Sequence, residues 1–191
     1  VAYSPDGTHL LTGGADGVRV WDAATGEPIH HLTGHTGSVR SVTYSPDGTH
    51  LLTGSDDGSV RVWDAATGQP IHHLTGHTGW VRSVAYSPDG THLLTGGADG
   101  VRVWDAATGQ PVGFTIVTLP SNELAVFDAV STALAGASEG AWRWLGWNVV
   151  QDGRLTRLPA ETYGSLPPLH HPRRPPPEDD GLRSALPSRN R

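Results

Sequence analysis

Residues 42–68 read VTYSPDGTHLLTGSDDGSVRVWDAATG, and this stretch decides the fold. Ser45-Pro46-Asp47-Gly48 is turn chemistry, because Pro presets φ and Gly accepts a positive one. His50-Leu51-Leu52-Thr53 is a short β run, and Asp57-Gly58 signals a hairpin. Val60-Arg61-Val62-Trp63 alternates apolar with polar, as a strand does. A turn at Ala66-Thr67-Gly68-Gln69-Pro70 follows, then an outer strand Ile71-His72-His73-Leu74, then Val81-Arg82-Ser83-Val84-Ala85-Tyr86 opens the next unit.

The flanks repeat this pattern. Residues 1–26 and 84–109 are identical at every position and differ little from 42–68. Trp21, Trp63 and Trp104 are spaced by 42 and 41 residues, and Pro5, Pro46 and Pro88 by 41 and 42. A period in the low forties with Gly-His and Trp-Asp dipeptides predicts one small four-stranded antiparallel sheet per repeat.

These residues resemble the WD-repeat family. The resemblance implies an all-β partial β-propeller of four-stranded blades. It also implies a buried tetrad in each: Trp on the third strand, Thr on the second, Asp in the hairpin between them, and His from the preceding loop. The middle repeat matches with His35, Thr53, Asp57 and Trp63, and the third with His77, Thr95, Asp99 and Trp104. The first keeps Thr12, Asp16 and Trp21, its His position falling before residue 1. Buried indole, hydroxyl, imidazole and carboxylate groups all need partners, which a hydrogen-bonded chain supplies. Asp57 and Trp63 are six residues apart, whereas Asp16–Trp21 and Asp99–Trp104 are five, so the outer repeats lack an equivalent of Ser59. A deletion within a strand would swap its faces, so the hairpin loop is expected to absorb it.

The repeat decays after Gln110-Pro111. Three parts are expected: blades over 1–112, a degenerate last blade or cap over 113–163, and a Pro/Arg-rich disordered tail over 164–191. In the middle part, β runs are expected at 114–119, 124–127, 133–136 and 141–147, with Trp142 and Trp144 on one strand face.

In WD-repeat proteins, partners dock where the first strand begins and where the residue before the tetrad Asp sits. The resemblance therefore implies a binding face of Ser38, Arg40 and Asp56 in one blade, Trp80, Arg82 and Ala98 in the next, and Ala15 in the first. Near-identical repeats differ here, Ser38 against Trp80 and Asp56 against Ala98, and an exposed Trp beside Arg is anchor chemistry.

Other chemistries fit less well. The pairs His30-His31, His72-His73 and His170-His171 suggest metal, but adjacent strand residues point to opposite faces. Asp6, Asp47 and Asp89 lie in turns without the alternating ligands of calcium loops. Ser, His and Asp recur in multiplied structural positions, and no nucleophile elbow or phosphate loop is present, so neither catalysis nor a cofactor is expected. Pro172-Arg173-Arg174-Pro175 forms a PxxP in the tail, a pattern common in Pro-rich segments.

With 13 basic residues, all Arg, against 19 acidic, the net charge of −6 offers no field for nucleic acid. No apolar run approaches the ~20 residues of a membrane helix. The absence of Cys is compatible with a cytoplasmic setting. The chain begins at Val1 and holds no Met, so it is read as the C-terminal part of a larger bacterial multidomain protein. A ring of about seven blades needs about 290 residues at ~41 each, so upstream blades or a second chain must close it. The expected function is a non-catalytic protein–protein interaction scaffold, or alternatively a structural spacer or oligomerisation array without a specific ligand.

Overall fold

The computed structural model describes residues 1–119, 121, 123–130, 134–137, 146–151 and 154–159. Its regular elements are β-strands. The first sheet holds β1 (Ala2–Tyr3), β2 (His9–Gly14), β3 (Gly17–Asp22) and β4 (Pro28–Leu32) in sequence order. The second holds β5 (Val39–Tyr44), β6 (His50–Ser55), β7 (Val60–Asp64) and β8 (Pro70–Leu74), again in order. All pairings are antiparallel, joined by short turns. In each Ser-Pro-Asp-Gly turn the Gly takes the left-handed φ that its position demands, +76° at Gly48.

The third blade contains β9 (Val81–Tyr86), β10 (His92–Gly97), β11 (Gly100–Asp105) and β12 (Pro111–Thr118). Its sheet continues outward through β13 (Leu124–Asp128) and β14 (Leu134–Ala137), giving six strands. The segment read as a degenerate last blade or cap thus supplies two strands to this sheet. The sequence boundary at 112/113 falls inside β12, where the register against β11 shifts between Arg102 and Trp104. β15 (Gly146–Gln151) and β16 (Arg154–Pro159) form a separate hairpin. Trp142, Trp144 and the segment 164–191 lie outside the described residues.

Strand alternation decides which blade each residue meets. On β6 and β7, Leu51 and Trp63 face the first blade and pack with Leu11, Val18, Val20 and Val42. Leu52, Val60 and Val62 face the third and pack with Val81, Val84, Leu93 and Trp104. The core is therefore two slabs, one at each blade–blade interface. Gly54 sits in the second slab, where a Cβ would lie 2.7 Å from Val81 Cγ1, so a larger residue would push the blades apart.

The missing Ser59 equivalent is absorbed in the hairpins. Thr53 pairs with Arg61, Thr12 with Arg19 and Thr95 with Arg102, so the faces stay in phase. The outer repeats turn through two residues between Gly14 and Gly17 and between Gly97 and Gly100.

Candidate functional site

The middle blade brings its four expected residues into one hydrogen-bonded chain. Trp63 Nε1–H donates to Thr53 Oγ1 at 3.0 Å. The Thr53 hydroxyl lies 2.8 Å from His35 Nε2, and His35 Nδ1 lies 2.9 Å from Asp57 Oδ2. The polarity follows from the acceptors: the carboxylate takes the Nδ1 proton, so Nε2 accepts from Thr53 and the ring is neutral. Burial holds the His35 pKa below its ordinary value and outweighs the upward pull of Asp57. Burial also pushes the Asp57 carboxyl up, but the Ser59 hydroxyl and amide, the Thr36 amide and His35 together hold it well below the usual range.

The third blade builds the same chain: Trp104 to Thr95 at 2.9 Å, Thr95 to His77 at 2.8 Å, and His77 to Asp99 at 2.6 Å. Asp99 has no serine at the Ser59 position. Arg102 Nη2 donates to it instead, at 2.9 Å. In the middle blade the equivalent Arg61 donates to the Gly34 carbonyl and lies over the Trp63 ring at 5.9 Å. In the first blade Trp21 donates to Thr12 at 2.9 Å, while Asp16 pairs with Arg19.

Sequence alone does not announce these supporting groups: the unequal Asp–Trp spacing is the one signal for Ser59, and it marks register before it marks a hydrogen-bond donor. Three of the paired histidines also have structural partners, His31 donating to the Asp16 carbonyl at 2.9 Å within its own blade. His30 Nε2–H donates to the Ala66 carbonyl at 2.9 Å and His72 to the Ala107 carbonyl at 3.0 Å, each tying one blade to the next.

The residues named as a docking face lie at the hairpin end of the sheets. Asp56 N–H donates to the Ser38 carbonyl at 2.9 Å, and Ala98 N–H to that of Trp80 at 3.2 Å, so the paired positions are neighbours in both blades. Arg40 grips Asp56 through Nε at 2.9 Å to each carboxylate oxygen and through Nη2 as well. Arg40 holds the Asp56 carboxyl below its usual value, and Arg82 adds to this. Trp80 is 53% exposed, with the Arg82 guanidinium 5.6 Å from its ring centroid. Ala98 and Ala15 are exposed on the third and first blades.

Repeated four-stranded sheets with their cores at blade–blade interfaces define a β-propeller repeat protein, here with the sheets in an open stack. The family model described as "WD domain, G-beta repeat" matches residues 1–22, 26–64 and 68–105, more than half of the chain. The chain therefore belongs to the WD-repeat family. No curated protein matches it.

Proposed function

We propose that this chain is a non-catalytic interaction scaffold that captures a protein or peptide partner on the edge formed by Ser38, Arg40, Asp56, Trp80, Arg82, Ala98 and Ala15. WD-repeat domains generally mediate protein–protein interaction and are typically non-catalytic. The observation that carries the finer reading is Trp80, a large aromatic held in solvent by Arg82 where the neighbouring repeat has serine. A stacked Trp–Arg pair is already ordered before a partner arrives, so little side-chain entropy is lost on docking. The tetrads beneath serve as rigid supports, fixing the hairpins from which Asp56 and Ala98 project. A cytoplasmic setting, and a ring completed by further blades or a second chain, belong to the same proposal.

The test is affinity capture from host-cell lysate with the wild-type chain and a Trp80→Ala/Arg82→Ala variant. Proteins retained by the wild type and lost by a variant of equal thermal midpoint support docking here. An identical set retained by both overturns it and favours the spacer reading.

A further inference from the structure

Two cavities of about 460 and 420 Å³ open between successive blades, at the end of the sheets opposite Trp80. They are copies of one design, and both volumes lie in the range that accommodates a ligand group. The first is lined by Asp6, His9, Ile29, His30, Tyr44 and Asp47, among others. The second is lined by the corresponding Asp47, His50, Ile71, His72, Tyr86 and Asp89. Asp47 belongs to both.

Three observations define the occupant. First, two carboxylates line each cavity and no arginine does, so the local charge is negative. Hydrogen bonds from Ser4, Ser45 and Ser87, together with the neighbouring threonines, hold Asp6, Asp47 and Asp89 down to a pKa of about 2, so all three stay ionised at neutral pH. Second, the walls are apolar: Val20 and Ile29 in one, Val62 and Ile71 in the other, with both isoleucines exposed. Third, Tyr44 is only 8% exposed, yet its hydroxyl makes no hydrogen bond among the described residues. The Tyr44 side chain is buried but its oxygen is not, so the hydroxyl meets solvent in the cavity, where a ligand can replace the water. Carboxylates beside an apolar wall suit a cation carried on an apolar stem.

We propose that these cavities are tandem pockets for arginine side chains on an extended basic segment of a partner protein, one arginine per blade interface. The apolar stem lies along the isoleucine wall, and the planar guanidinium matches a site with two carboxylates and a phenolic oxygen better than a point-charge ammonium does. Because the pockets adjoin and share Asp47, a single segment fills both, and the second contact gains from the first. This surface is separate from the docking edge of Trp80, so each can fail alone.

The test is fluorescence anisotropy of labelled octa-arginine with the full chain, alongside octa-lysine. Saturable binding is expected, tighter for arginine. Asp47→Asn is expected to weaken it on the order of tenfold through both pockets, and Tyr44→Phe about threefold through one. Asp16→Asn removes the same charge in a hairpin at the other end of the sheets and is expected to change nothing. Asp47 also holds its own turn, so if Asp47→Asn lowers the thermal midpoint, Tyr44→Phe, which removes no internal hydrogen bond, decides. Absence of octa-arginine binding, wild-type affinity in Tyr44→Phe, or equal losses in Asp47→Asn and Asp16→Asn would each overturn the proposal.

Discussion

At the scale of single residues, the Thr53 hydroxyl is the hinge of the middle tetrad: it accepts from an indole and donates to an imidazole, and both partners are buried. Thr53→Val keeps the shape and leaves Trp63 Nε1–H and His35 Nε2 without partners, so a loss of about 1–3 kcal/mol is expected. Thr12→Val removes one bond to a half-buried Trp21 and should cost less; urea unfolding of the two variants gives the comparison. His35 adds a pH dependence. Its folded pKa is depressed below 6.5 because burial disfavours the cation, so the unfolded chain binds a proton that the folded site refuses. Stability is then full above pH 6.5 and falls as the pH drops below it. Urea midpoints measured from pH 7.5 to 5 should show this decline, and a flat profile would contradict the neutral-ring assignment. A second loss belongs to Asp6, Asp47 and Asp89, lowered from 3.8 to about 2: their contribution is present above pH 3.8 and disappears as the pH falls through 2.

At the scale of elements, blade spacing is set by what the strands present to one another. A Cβ added at Gly54 on β6 would lie 2.7 Å from Val81 Cγ1 and 2.8 Å from Val84 Cγ1 of the next blade, whereas one added at its counterpart Gly96 on β10 would meet Ser83 Cβ at an ordinary 3.8 Å. Gly54→Ala is therefore expected to destabilise the chain by about 1–3 kcal/mol through overpacking, and Gly96→Ala to be tolerated. Thermal unfolding of both variants checks the contrast. The hairpins make a related point: losing the Ser59 position shortens the turn without changing the strands, and an arginine then takes over the carboxylate that serine holds elsewhere.

At the scale of the molecule, both outer faces of the three-blade stack carry exposed apolar side chains among the described residues. Leu52 is fully buried by the third blade, but the equivalent Leu94 is 47% exposed. Tyr44 packs against the first blade at 8% exposure, while the equivalent Tyr3 is 67% exposed. Blade faces that no neighbour covers leave apolar side chains in water. The 191-residue chain alone is therefore expected to self-associate with rising concentration, and Leu94→Asp with Tyr3→Asp to reduce it. Sedimentation velocity across a concentration series would show this, and equal behaviour of wild type and variant would count against these faces as the cause.

The sequence made the blades legible because turn chemistry and period-two alternation are local. Pro46, Gly48 and the Val60–Trp63 run specify strands and register whatever surrounds them. The tetrads were legible through the resemblance to WD-repeat proteins, which implies that the recurring Trp, Thr, His and Asp of each repeat meet. Less legible were the groups that hold Asp57 and Asp99, because Ser59, Arg61 and Arg102 declare their partners only when two strands and a loop converge. The outward continuation of the third sheet through β13 and β14 was hidden for the same reason, since pairing depends on which edge is free. The identical copies 1–26 and 84–109 show the division most directly. Each folds to the same hairpin with the same indole–hydroxyl bond, 2.9 Å in both, as identical local chemistry requires. Yet Leu11 is fully buried and its twin Leu94 is half exposed, and Trp104 is buried while Trp21 is not. Sequence alone determined the shape of each unit; burial, and with it the energetic weight of each side chain, was decided by the neighbouring blade, because hydrophobic stabilisation depends on the area another surface removes from water.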